Sequence, residues 1–509
     1  MLAKVLSGAL LGIDAYPVEV EVDIAQGLPQ FATVGLAEGA VKESKDRVKS
    51  AIKNSGYDFP VRRITINLAP ADIKKDGTAF DLPMAIGILA ATGVIKNHQP
   101  RNYAFMGELS LDGLIKPVRG ALPVAVAARQ WGATALILPM DNAREGAIAG
   151  DLPVYGVSDL GQLVDFLNGK RTLEPCSMDR DELFLQSTLH TVDFAEVRGQ
   201  EHVKRAIEVA ASGGHNLLMV GPPGSGKTML ARRLPSILPP LCFDEALVTT
   251  KIHSIVGLLP RQDALVCSRP FRSPHHTVSD AGLIGDGTIP KPGEVSLAHN
   301  GVLFLDELPE FKKNVLEMLR QPLEDGAVTI SRAASTLTYP SDFMLVAAMN
   351  PCPCGYLGDT LHECSCTPQM TSRYRNRLSG PLLDRIDLHV EVPRVRYQEL
   401  AAIADAESSS DIRVRVEATR NLQQQRFAGS TTVCNAAMSP RQLRRFCALD
   451  ETGQKLMETV TDRLGFSART YTRILKVART IADLAGKETI RQQHLAEAIQ
   501  YRSLDRRKT

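Results

Sequence analysis

The sequence lacks any uninterrupted apolar run near the roughly 18 residues that a membrane helix needs, which excludes a conventional membrane-spanning segment. It also lacks a charge excess. Its 59 lysines and arginines face 57 aspartates and glutamates, a net +2, so any surface that grips a polyanion must be local. No fixed-period repeat or low-complexity tract is present, which excludes a repeat array. The start has no clear signal-cleavage pattern. Instead Val18, Val20, Val22 and Ile24 alternate with Glu19, Glu21 and Asp23, a half-buried strand with Leu10 and Leu11 as neighbouring core. A cytoplasmic protein without a membrane partner is the expectation.

What is there reads as globular. Apolar residues make up 44% and charged residues 23%, and 509 residues predict two to four domains. Residues 1–168 form one α/β unit in this reading. Its strands are residues 18–24, Ile64 to Leu68, GVIKN at 93–97, AFMGEL at 104–109 and ATALILP at 133–139. A helix with Val41, Val48 and Ile52 on one face stops before Gly56. Residues 169–192 lose periodicity, carry Pro175 and several charges, and read as a linker. A second α/β unit spans 193–394, with strands at NLLMV (216–220), GVLFLDE, FMLVAAMN and IDLHVEV. From 395 to 509 the pattern is helical. Its clearest helix has Ser467 as N-cap, Ile474, Ala478 and Ile481 on one face, and Gly486 beyond its end.

The chemistry is concentrated in the second unit. Gly221, Pro222, Pro223, Gly224, Ser225, Gly226, Lys227 and Thr228 match G-x-x-x-x-G-K-[ST] between an apolar strand and a helix, the context that motif requires. Backbone amides of such a loop wrap phosphates, Lys227 brings a cation to the β- and γ-phosphates, and Thr228 offers a hydroxyl to magnesium. A later apolar strand ends in Asp306 and Glu307. Asp306 is expected to hold magnesium through water, and Glu307 to polarise the attacking water. Asn350 ends another apolar strand, where it would orient the same water. Arg385 and Arg469 are the candidate cations for γ-phosphate charge, one reaching an adjacent subunit and one responding from the helical region, with Arg473 the rival of Arg469 and structural ion pairs the alternative for both.

With these motifs the chain resembles the ComM (YifB) family of magnesium-chelatase-like AAA+ ATPases over essentially its whole length. The residues that carry the resemblance are DFAEVRGQ at 193–200, FRSPHHT at 271–277, SGPLLDR at 379–385 and SARTYTR at 467–473. It implies an AAA+ domain over 193–394, a helical lid over 395–509, and a homo-hexameric ATP-driven motor that moves branched DNA through its pore. The family is associated with branch migration during integration of transforming DNA. A magnesium-chelatase-type remodeller of a protein partner is the alternative. Two pore insertions are expected, one at about 271–300 and one a hairpin of two exposed strands from Val328 to Tyr339, with Arg332 meeting DNA. For His275 and His276 a capped turn competes with a DNA contact.

Residues 1–168 look like the Lon-protease-type (ribosomal S5 domain 2-like) domain through ITINLAPAD at 64–72 and GELSLDG at 107–113. Aligned on these motifs, the nucleophile position falls on Ala79 and the lysine position on Leu122, so neither nucleophile nor base is expected and the domain is read as a retained scaffold, as in the RadA recombination proteins. Arg62, Arg63, Lys74 and Lys75 are either a DNA contact or a solvated face.

Nine cysteines include Cys352, Cys354, Cys364 and Cys366, two C-x-C pairs crowded directly behind Asn350. Four thiolates suffice for tetrahedral zinc, with free thiols and an iron–sulfur cluster as the alternatives and His362 as a spare ligand.

Overall fold

The computed structural model describes residues 1–36, 39–73, 75, 77–96, 102–150, 152–178, 184, 192–259, 264–287, 290–332, 335–359, 361–395 and 406–502. The chain divides into two compact units, one of Met1–Gln186 with Phe243–Cys267, the other of Ser187–Cys242 with Ser268–Thr509. The fold is mixed α/β, with a helical C-terminal region.

The first unit is built on seven strands: β1 (Leu2–Leu11), β2 (Asp14–Ala25), β3 (Gln30–Val34), β4 (Arg63–Ala69), β5 (Tyr103–Phe105), β8 (Ala135–Pro139) and β9 (Val154–Val157), in the order β3-β4-β2-β1-β5-β8-β9. A separate small hairpin of β6 (Glu108–Leu109) and β7 (Ile115–Lys116) lies between β5 and β8 in the chain. The alternation read from the sequence is the burial pattern of β2: Val18, Val20, Val22 and Ile24 are inside, with the acids between them facing out. Its partner β1 pairs with it antiparallel along ten residues, from Leu2↔Asp23 to Leu11↔Asp14. GVIKN is a correction. Gly93 takes a positive φ of 78°, and Val94 and Ile95 donate their amides to Leu89 O at 3.0 and 3.2 Å, so the segment closes the helix Asp81–Ala91 instead of forming a strand, and residue 97 lies outside the described residues.

The segment assigned by sequence to a linker is partly folded onto this unit, because Leu173 packs on its core and Cys176 donates its amide to Val154 O at 2.8 Å. The helix Phe243–Val256 also belongs here, although its sequence lies beyond the phosphate-binding motif. Lys251 pairs with Asp14 at 3.1 Å, and Ser254 donates to the buried carboxylate of Glu145, which also accepts the Leu122 amide at 3.0 Å.

The second unit contains a five-stranded all-parallel sheet in the order β11-β14-β17-β10-β18. These strands are β10 (Leu217–Val220), β11 (Phe271–Arg272), β14 (Val302–Leu305), β17 (Met344–Met349) and β18 (Leu388–Glu391). Strands β10, β14 and β17 are buried at every residue, the mark of a sheet covered on both faces. Between β11 and β14 lies the short pair β12 (Gly285–Asp286) and β13 (Lys291–Pro292); between β14 and β17 lies the hairpin β15 (Ala327–Arg332) and β16 (Ser335–Pro340). The helices Ser409–Arg426, Ala468–Leu484 and Gln492–Gln500 share one apolar core with the sheet, with Ile412, Ile474 and Leu495 meeting the cluster that holds Leu217 and Phe304. Ser467 caps its helix by accepting the Thr470 amide at 3.1 Å. No helix among the described residues is long and apolar enough to cross a membrane.

Candidate ATP site and cysteine cluster

The parallel sheet brings the phosphate-binding loop, Asp306, Glu307 and Asn350 to one edge. Strand β10 ends at Val220 and the loop Gly221 to Gly226 turns into the helix Lys227–Ile237, with Gly226 at φ +88°, a conformation that a side chain would strain. The amide of Gln200 clamps the loop from outside, donating to Ser225 O at 2.9 Å and to Pro393 O at 2.6 Å. Lys227 Nζ donates to Gly221 O at 2.7 Å and Pro222 O at 2.9 Å, and lies 3.4 Å from Asn350 Oδ1. Burial pulls the Lys227 pKa down while Asp306 and Glu307 oppose it, so the cation is desolvated and flanked by acids.

Parallel pairing of β14 with β17, and of β17 with β10, sets Asp306 and Asn350 beside this loop. Thr228 Oγ1 donates to Asp306 Oδ2 at 2.6 Å. Two oxygens at a helix N-terminus are the hard donor set that magnesium takes, so these residues fit that ion. Glu307 follows at φ +52°, an uncommon conformation for a residue with a side chain, and its amide donates to Asp306 Oδ1 at 2.9 Å. Its carboxylate is half-exposed, and His276 Nδ1 lies 3.4 Å from Glu307 Oε2.

That histidine is the residue sequence reasoning missed. FRSPHHT was assigned to a pore insertion, but its first two residues are β11, which pairs with β14, so the chain leaves the sheet next to Glu307. His275 takes the capped turn weighed for the pair, while His276 takes a place that neither reading gave. His275 closes a turn through Thr277 Oγ1 at 2.9 Å, while His276 stacks on it with centroids 4.1 Å apart and faces the acid. The hairpin β15–β16 forms in the expected place, but it is not a pair of exposed strands. Val328, Ile330 and Tyr339 are buried, and Tyr339 OH donates to Pro290 O at 2.6 Å. Among the described side chains of the hairpin, Thr329, Ser331, Thr336 and Thr338 face out, because strict alternation gives a hairpin one face for packing. The side chain of Arg332 lies outside the described residues.

Arg385 is not at the phosphate edge. It precedes β18, its carbonyl accepts Asn216 Nδ2 at 3.0 Å at the start of β10, and its guanidinium pairs with Glu324 and donates to Pro381 O at 2.6 Å. Burial lowers its pKa, Glu324 opposes, and Arg320, Arg469 and Arg473 add to the lowering, so four guanidiniums share this region. Arg320 and Arg385 line an open cleft of about 550 Å³ with Glu317, Glu324 and Thr329. Arg473 is tied down by an ion pair with buried Asp387, whereas Arg469 in the first turn of its helix is exposed.

The four cysteines converge. Cys352 Sγ lies 3.4 Å from that of Cys354 and 3.6 Å from that of Cys364, Cys354 and Cys364 are 3.5 Å apart, and all four sulfurs lie within 4.8 Å of one another. Sulfurs around a tetrahedral zinc at about 2.3 Å are roughly 3.8 Å apart, so the set fits that ion. His362 instead stacks on Tyr356 with centroids 4.9 Å apart. In the first unit, Ala79 O accepts the Gly107 amide at 3.0 Å, and Leu122 is wholly buried in the first turn of Ala121–Ala128. Lys75 is buried with its Nζ donating to Pro70 O, which removes it from any DNA-facing surface; Arg62 and Arg63 are exposed, and Lys74 lies outside the described residues.

A phosphate-binding loop, an acidic pair on the next strand but one, and a helical region packed on the same sheet define an AAA+ ATPase. Family models agree along the chain: subunit ChlI of Mg-chelatase matches residues 20–142, magnesium chelatase subunit ChlI matches 193–400, and the ChlI C-terminal model matches 406–502. Competence protein ComM of Haemophilus influenzae is 46% identical over 99% of this chain and 98% of its own. YifB of Salmonella typhimurium is 45% identical over 99% of this chain and 98% of its own. Lon protease 2 of Bacillus subtilis is 33% identical over 27% of this chain and 26% of its own. The chain belongs to the ComM/YifB family of magnesium-chelatase-like AAA+ proteins.

Proposed function

We propose that the protein is a hexameric, ATP-driven DNA translocase of the cytoplasm that promotes branch migration of recombination intermediates. The observation that carries the reading is the separation of its charges across the sheet. Lys227 follows the C-terminal end of β10, while Arg385 precedes β18 at the other edge, and strands of four residues put about 13 Å between these edges. An arginine so placed serves the ATP of a neighbouring copy, which calls for a closed ring.

In each site the loop amides and Lys227 hold the phosphates, Thr228 and Asp306 hold magnesium, which neutralises phosphate charge when bound, and Glu307 with Asn350 orients the water. Zinc on the four cysteines is structural. The DNA part rests on the full-length similarity to a protein named for competence, and on the outward hydroxyl face of β15–β16, where Thr329 and Thr338 sit 3.0 Å apart. The three chelatase-derived family models favour a second reading, a remodeller of a protein partner. The test is strand exchange on a three-way DNA junction with ATP, without ATP and with a non-hydrolysable analogue. ATP-dependent exchange is expected; absence of both DNA binding and exchange at low salt would move the choice to the remodeller.

A further inference from the structure

The cysteine cluster begins two residues after Asn350, and its loop touches the phosphate-binding loop. Gly355 takes φ +86°, and a methyl there would lie 2.6 Å from Pro223 Cδ, 2.8 Å from Pro223 Cγ and 3.9 Å from Asn350 Cγ. The turn carrying Cys352 and Cys354 therefore lies flat on Pro223 with no room between them. A second tie runs through Asp359, whose side chain is 2% exposed and pairs with Arg394 Nε at 2.9 Å. The Arg394 guanidinium covers the Tyr356 ring at 5.7 Å. Arg394 follows Pro393, whose carbonyl shares the Gln200 amide nitrogen with Ser225 of the loop. The cluster loop thus meets Pro223, Asn350 and the exit of β18 together.

Among its described residues this loop has no apolar core of its own. Leu357 and Leu361 are 38% and 73% exposed, and of its cysteines only Cys352 is fully buried. A metal ion supplies the cross-link that burial does not, and removing it releases the segment's conformational freedom. We propose that the metal-filled cysteine loop is a wall of the nucleotide site that fixes Pro223 and Asn350, so that metal occupancy sets nucleotide affinity. The proposal rests on the ATPase reading above and adds to it a second ligand that controls the same site.

The experiment uses the full chain, metal analysis and titration with a fluorescent ATP analogue in magnesium. The wild type should carry about one zinc per chain and bind the analogue, while the double variant Cys364→Ser, Cys366→Ser should lose zinc and bind about tenfold more weakly, the loss expected when nucleotide must re-order about one residue's worth of freed backbone. Gly355→Ala separates this from misfolding. It keeps all four ligands and should keep its zinc, yet its methyl presses on Pro223, so it too should bind more weakly with an unchanged far-ultraviolet circular dichroism spectrum. Zinc-free wild type with four titratable cluster thiols overturns the proposal, as does unchanged affinity in either the zinc-free variant or zinc-loaded Gly355→Ala. A wild type that binds no nucleotide overturns the ATPase reading and this proposal with it, an outcome distinct from binding that the variants leave untouched.

Discussion

Lys227 and Glu307 do different work, and their environments say which. The Lys227 ammonium is desolvated and bonded to two loop carbonyls, a position from which it swings to phosphate oxygens with little cost in solvation. Glu307 is half-exposed, with its carboxylate 3.4 Å from His276 Nδ1 and close enough to Lys227 to favour the cation. Lys227→Ala should therefore abolish nucleotide binding, whereas Glu307→Gln should bind ATP normally and hydrolyse it about a hundredfold more slowly, the usual cost of losing a general base. Nucleotide titration and phosphate release measure the two; near-normal turnover by Glu307→Gln would strip it of this role. The loop and the acidic pair were legible because both are contiguous motifs with fixed strand contexts. His276 was not, because its position follows from which strand β11 pairs with, information that no local spacing carries.

The helix Ala468–Leu484 offers two arginines one turn apart, and the structure gives them unequal surroundings. Arg473 reaches Asp387, a carboxylate wholly out of solvent: burial alone would raise its pKa, but Arg473 and then His215 outweigh burial and hold it well below the usual range. A depressed carboxylate contributes stability that is present above its unfolded pKa of about 3.9 and is lost only as pH falls below that value. Arg473→Ala should therefore cost about 3 kcal/mol at neutral pH by stranding a buried charge, with the deficit narrowing toward pH about 4. Arg469→Ala should leave thermal unfolding unchanged and lower ATP turnover in assembled rings. The reverse pattern in melting curves and turnover would exchange the two roles. The helix itself was legible, down to its cap at Ser467, because caps and apolar periodicity are local. The helix Phe243–Val256 falls within 193–394 in the sequence but packs with the first unit, where Ser254 meets Glu145 across more than a hundred residues of chain, a contact that no local pattern signals. Strand β1 hid behind Gly8 and mixed polarity, and is defined by its pairing with β2.

At the scale of the whole molecule, parallel strands give the second unit two chemically different edges, with Lys227 at one and Arg385 at the other. If each ATP takes its lysine from one copy and its arginine from the next, Arg385→Ala and Lys227→Ala proteins should each be inactive alone and regain part of the ATPase rate when mixed, because hybrid interfaces unite an intact lysine with an intact arginine. A mixture of assembled rings that stays inactive at every ratio would rule out the shared site. The same polarity bears on DNA. With a net charge of only +2, the chain has no general attraction for a polyanion, so the proposed DNA contacts would have to be concentrated on a local surface. The hairpin β15–β16 buries Val328, Ile330 and Tyr339 and turns a row of hydroxyls outward, with Arg332 at its turn end. Neutralising each phosphate releases condensed counterions, so affinity for branched DNA should fall with salt at a logarithmic slope of about −0.9 per contact. Arg332→Ala should leave assembly and DNA-free ATP hydrolysis intact, reduce junction migration, and flatten that slope by about 1 for each arginine that had met a phosphate. Affinity measured at several salt concentrations for both proteins decides it: equal slopes would remove Arg332 from the DNA path, and a wild type with no salt dependence would leave the hairpin without a phosphate to grip.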